Sequence, residues 1–197
     1  ESLDLSVDTL VAQITGPGDL SVVEADGITL VDIETFDGNI DVTTTAGDIA
    51  VDSIVENDDD NSQDHTVTLV SAGAITDDNA GTLNVTAETL SLTASGAVGA
   101  SGGTNPLDID VTTLTADTSG SAGSGVFINE TDDVAIGAGD ITTVGGDVEI
   151  TAGDTINRQS SSNVISPRSN ARSWSAFRQR PFRGSARRRT SALHGMM

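Results

Sequence analysis

The chain is 197 residues long, with 30 Asp and Glu against nine Arg, no Lys, and a formal net charge of −21. It has no Cys and only 3% aromatic residues, which excludes a disulfide framework or thiolate metal site and argues against a core filled by large rings. No apolar run is long enough to cross a bilayer as a helix, and no signal-peptide pattern is visible.

Taken in order, the predicted elements are short strands. Leu3-Asp4-Leu5-Ser6-Val7 is apolar at every second position, and the pattern returns at Leu20-Ser21-Val22, Ile28-Thr29-Leu30, Ile40-Asp41-Val42 and Ile49-Ala50-Val51. It continues at Val67-Thr68-Leu69, Leu83-Asn84-Val85, Leu90-Ser91-Leu92 and Leu107 to Val111, then Val126-Phe127-Ile128, Val134-Ala135-Ile136 and Val148-Glu149-Ile150. Period-two alternation with no helical periodicity marks half-buried strands. The chain opens at Glu1 directly on such sequence, as a piece of something longer would.

Between the runs a unit of Gly, then Asp or Asn, then an aliphatic residue recurs: Gly18-Asp19-Leu20, Gly38-Asn39-Ile40, Gly47-Asp48-Ile49, Gly139-Asp140-Ile141 and Gly146-Asp147-Val148. The first two stand 20 residues apart and the next follows after 9. Glycine supplies a corner, and the acid or amide is expected to bond the turn's own backbone. Sandwiches and barrels also use many short strands. Scarce aromatics and imperfect repeats near solenoid length favour a parallel β-helix instead. Its interior should be ladders of Val, Ile, Leu and Ala, with Asp, Thr and Asn outside or at corners. Stacking sets like charges about 4.8 Å apart, so the acids must stagger around the perimeter or recruit cations.

The residues of Thr82 to Ala100, Pro106 to Ala116, Gly125 to Glu130 and Gly145 to Asp154 resemble the repeats of filamentous-haemagglutinin-like adhesins. The resemblance covers residues 1–156. It implies an all-β, right-handed parallel β-helix, the stalk of a large secreted or cell-surface bacterial protein, and brings no catalytic motif.

Charge divides the chain. Every Asp and Glu precedes Ile156, and every Arg follows it, from Arg158 to Arg189. The body, residues 1–156, is a polyanion that should repel nucleic acid and anionic membranes and attract divalent cations weakly. The tail, residues 157–197, is an Arg/Ser string with Trp174, Phe177 and Phe182 between the cations. It reads as a disordered basic arm, as a segment folding back on the body, or, best, as repeat sequence read out of frame.

Candidate sites are few. Asp58, Asp60, Ser62 and Asp64 have the oxygen spacing of a calcium loop, but Gln63 replaces the required Gly and Leu69 the bidentate Glu. A solvated bulge is the better reading. Gly145-Gly146-Asp147 and Gly137 to Asp140 echo a calcium-binding nonapeptide without its tandem repetition. The doublets Asp77-Asp78 and Asp132-Asp133 could pair as glycosidase carboxylates, yet each is more simply a turn, and Phe36 and Phe127 are the body's only aromatics. His65, beside Asp64, reads as a surface histidine, and Gly120 to Gly125 as a flexible Gly/Ser loop.

The expectation is therefore a structural and adhesive shaft without catalysis, extracellular or on a bacterial surface. No catalytic, metal or cofactor residue is assigned. Its partners would be neighbouring repeats, host or cell-surface molecules, and other copies through open strand edges. A polysaccharide-active β-helix enzyme and a calcium-binding extracellular module are the alternatives.

Overall fold

The computed structural model describes residues 1–57, 65–102 and 105–158. Among them there is no helix; the chain winds into a parallel β-solenoid of about 7 turns. Each full coil carries three strand positions, which stack into three ladders.

The first ladder holds β1 (Leu3–Leu5), β3 (Leu20–Glu24), β5 (Ile40–Thr44), β8 (Thr66–Ser71), the second half of β10 (Val85–Ala94), then the middle of β11 (Leu107–Ala122), β13 (Val134–Val144) and β15 (Ile156–Arg158). The second runs from β2 (Thr9–Ile14) through the start of β4 (Ile28–Phe36), β6 (Ile49–Val51), β9 (Ile75–Asp77), the bridge at Val98, β12 (Val126–Glu130) and β14 (Val148–Ala152). The third takes the end of β4, β7 (Ile54–Asn57), and the starts of β10 and β11, then continues into the later parts of β12 and β14.

Every named strand pair is parallel, so side chains stack on their equivalents one coil away. The column Leu20, Ile40, Val67, Leu90, Leu114, Ile136 fills the centre of the first ladder. Ile28, Ile49, Ile75, Val98, Val126 and Val148 do the same for the second. Most of these are fully buried, because a narrow tube closed on three sides leaves an inward side chain no route to water. Small aliphatics fill such a tube; large rings would not fit in register.

The expected cost of stacked charge is met by stagger. In no paired register does one acid lie directly over another: Ser21 faces Asp41, Asp41 faces Thr68, Asp108 faces Asn129, Thr86 faces Asp110 and Glu34 faces Val55. Like charges directly opposite would destabilise each pair.

The corners correct the expectation for the Gly-Asp unit. The acid or amide bonds the neighbouring coil rather than its own turn. Asp19 accepts from the Asn39 backbone N–H at 2.9 Å, Asn39 accepts from Thr66 at 2.9 Å, and Asp48 from Ala74 at 2.7 Å. The Asn39 backbone N–H, then its side-chain amide, hold the Asp19 carboxyl below its ordinary pKa, since both bonds favour the ionised form. Threonine is also misplaced by the sequence reading. The hydroxyls of Thr35, Ser71 and Thr143 donate to the carbonyls of Gly38, Ala74 and Gly146 at 2.9 Å, three residues on. Thr35 and Ser71 are buried, so each satisfies a corner carbonyl from inside.

Four further expectations change. Leu83 precedes its strand, which starts at Val85, and is exposed, while Asn84 is buried. Gly139-Asp140-Ile141 is no corner but an irregularity within β13, where Asp140 has φ +57 and the register shifts. The Gly/Ser run from Gly120 belongs to β11 as far as Ala122. The body's ladder crosses the charge boundary by two residues, because Asn157 and Arg158 pair with Ala135 and Ile136, and Arg158 bonds Asp140 at 2.7 Å.

Candidate functional site

One groove and one acidic trio stand out. The groove, about 460 Å³, lies between the second and third ladders. Early coils turn this corner briefly, from Leu30 to Ile33 and from Val51 to Ile54. The next two carry further residues here: Asp78 to Asn84 in one and, among the described residues, Gly99 to Gly102 with Asn105 and Pro106 in the other. In the following two coils β12 and β14 run straight through. The two loops therefore overhang a flat strand face.

The first loop is anchored by Asn84, whose amide donates to Val51 O at 2.7 Å and to Asp77 Oδ1 at 2.9 Å, and whose Oδ1 accepts from the Asp108 N–H at 2.8 Å. Asp77 Oδ1 also accepts from Asn79 N–H at 2.8 Å; Asp77 ends β9, and the bend follows it at Asn79 and Ala80. Asn105 ties the second loop to the first through Asp77 Oδ2 at 3.3 Å. Below, outward-facing Phe127 and Asn129 form the floor beside Glu149 and Thr151, one coil further. Asn129 donates to Asp108 Oδ1 at 2.6 Å. Phe127, set aside by the sequence reading, is half-buried here with its ring against Gly125. What hid the groove is that insertion length, rather than any motif, creates it.

The trio is Asp110, Glu130 and Asp132, whose carboxylate oxygens lie within 4.8 Å of one another. Glu130 is 1% exposed and occupies an inward column otherwise made of Ala12, Ile33, Ile54, Val85, Ile109 and Ala152. The signal was present: the alternation Val126, Ile128 puts Glu130 in the inward phase, as Leu20, Val22 does for buried Glu24 and Ile54 for buried Glu56. Glu24 and Glu130 each end a strand, where backbone donors are free of the ladder. Glu24 accepts from the N–H groups of Val7, Ala25 and Asp26. Glu130 accepts from Val111 at 3.2 Å and Thr131 at 3.0 Å.

Those N–H groups meet both Glu130 oxygens and favour the ionised form, and burial opposes them. Burial lifts the Glu130 carboxyl from 4.5 to about 7; Asp110 adds to the rise, and the N–H groups of Val111, Asp132 and Thr131 only partly offset it. The folded state thus holds this proton more tightly than the unfolded one. Its stabilising effect is complete below about 4.5 and is lost as pH rises through about 7. A Glu130→Gln chain should therefore melt higher than the parent at pH 8, by about 1–2 kcal/mol once nearby solvent is allowed for, and equally at pH 4.5. Thermal melts at the two pH values check this; a Gln variant that is no more stable at pH 8 would refute it.

His65 is not the surface residue expected. Its side chain is 15% exposed, and Nδ1 lies 3.4 Å from Glu56 Oε1. Asp132 lies in the bend between β12 and β13, and Asp133 accepts from Thr155 N–H of the next coil at 2.7 Å. The calcium-loop reading of Asp58, Asp60, Ser62, Gln63 and Asp64, and the tail from residue 159, lie outside the described residues.

Fold and site define a class, the acidic parallel β-solenoid with loop-built surface relief. Comparison with protein-family models, curated proteins and solved structures returned no match.

Proposed function

We propose that residues 1–158 are a segment of shaft: a stiff, acidic rod that spaces and presents surface loops, with no catalytic step of its own. The observation that carries this reading is the parallel stacking of three inward ladders, whose register shifts only between Leu10 and Val11 and where β11 meets β13. Each coil contacts only its neighbours, and the aliphatic columns repeat from coil to coil, so length can be added or removed without disturbing a centre of chemistry. Leu3, exposed although it heads the inward column of Val22, suits cover by a further coil. A stalk of this kind fits a secreted or cell-surface adhesin of the filamentous-haemagglutinin type, which is the particular role we favour. Staggered acids would keep such a rod soluble and repel nucleic acid.

The test is excision of one coil. Ile40 stacks under Val67, so removing residues 40–66 joins Asn39 to Val67 and brings Ile28 against Ile75 and Ile33 against Val85. The shortened chain should stay folded and lose one coil of length. A chain that unfolds on excision would count against interchangeable coils, and hence against a shaft.

A further inference from the structure

We propose that the groove beneath the two loops binds a saccharide, uncharged or amino-substituted, against the ring of Phe127. This goes beyond the shaft reading and stands independently of it.

Three observations carry it. The first is shape: about 460 Å³ falls within the about 300–1,000 Å³ of small-molecule sites. The second is the floor. Phe127 is one of two Phe rings among the described residues, it points outward, and it lines the groove half-buried. The negative face of a ring receives the polarised C–H groups of a pyranose. The third is the polar rim. Asp108 Oδ1 is held by Asn129 at 2.6 Å and Asp77 by Asn84 and Asn105, so these groups are oriented before any ligand arrives. Asp108 Oδ2 has no hydrogen bond among the described residues, and with Glu149 and Thr151 it offers acceptors to sugar hydroxyls. Pre-set polar groups around an apolar floor recognise a polyol, which presents both kinds of surface.

Charge sets the class. Asp77, Asp108 and Glu149 line the groove without a Lys or Arg, so sulfated and uronate sugars are repelled, whereas neutral hexoses are tolerated and amino sugars attracted. The ledge depends on Asn84 and Asn105, each from a loop that earlier coils lack. Extra residues at these two successive corners cost little in chain entropy, and they are what raises the recess above the strand face.

The probe is an immobilised panel of neutral, N-acetylated, amino, sulfated and uronate oligosaccharides, read with the full 197-residue chain and followed by calorimetric titration of the best binder. Neutral or amino oligosaccharides should be retained and sulfated ones not. Phe127→Ala and Asn129→Ala should each weaken binding about tenfold or more. Phe36→Ala, on a distant outward ring, should leave it unchanged. Phe127→Leu keeps apolar bulk without the flat ring; it should lose affinity while its melting temperature holds, which separates recognition from folding. Retention of no neutral or amino sugar at about millimolar concentration, preference for anionic sugars, or binding that survives both groove variants would overturn the proposal. A chain that stacks but binds no sugar loses this inference alone.

Discussion

A Leu90→Asp chain is expected to lose its cooperative thermal transition at pH 7. Leu90 is fully buried at the middle of the first ladder, with Val67 on one side and Leu114 on the other. Truncation to Ala would cost about 2–5 kcal/mol through lost contacts and a residual cavity. A carboxylate there costs more, because the neighbouring columns are aliphatic and the backbone N–H groups are committed to the ladder. Contrast Glu24 and Glu130, buried at strand ends where three and two N–H groups meet their oxygens. At these two positions spare donors meet the inward acid. The penalty therefore exceeds about 5 kcal/mol, comparable with the whole stability of a domain. Circular dichroism melts and limited proteolysis check it. A Leu90→Asp chain that melts within a few degrees of the parent would mean that position faces water.

The second large effect falls on a corner. Gly47 has φ +73, and a Cβ there would lie 2.7 Å from Gly27 N and 2.9 Å from Gly27 Cα in the coil below. Gly47→Ala thus suffers both backbone strain and collision with backbone that cannot rotate away, about 3 kcal/mol together. Two other glycines separate the causes. Gly81 has φ +98 but nothing within 4 Å of an added Cβ, and Gly16 has open space and no positive φ. Gly81→Ala should cost about 1 kcal/mol and Gly16→Ala close to nothing. Melting temperatures should fall in the order Gly47, Gly81, Gly16, with Gly47→Ala lowest by roughly 6–12 °C relative to the parent. Equal effects at Gly47 and Gly16 would show that the coils do not approach as closely as described.

Much of the architecture was legible because period-two alternation and stacking rest on the same residues. Leu20, Ile40, Val67 and Leu90 announce their strands by themselves. The short strands at Ile54–Asn57 and Ile75–Asp77 did not, since three or four residues hold too little alternation to separate from a turn. Interior acids were legible and overlooked: phase marks Glu130 as inward, but polarity argued otherwise, and the spare N–H groups that resolve the conflict come from Val111, 19 residues away in sequence. Asp19 and Asn39 were correctly placed at corners, but their partners lie one coil away and depend on register. The groove was the least legible feature. Phe127 looks like any outward strand residue until the loops after Asp77 and Val98 are set above it.

The central claim, interchangeable coils at fixed spacing, is tested most directly by a spin-label ruler. Ser21, Asp41, Thr68, Ser91 and Thr115 form one outward row in successive coils. At about 4.8 Å per coil, labels at Ser21 and Thr115 should stand about 19 Å apart in the full chain and about 14 Å apart once residues 40–66 are removed. A single narrow distance that shortens by one coil is the predicted result; a broad distribution, or a separation unchanged by excision, would contradict the stack and the shaft with it.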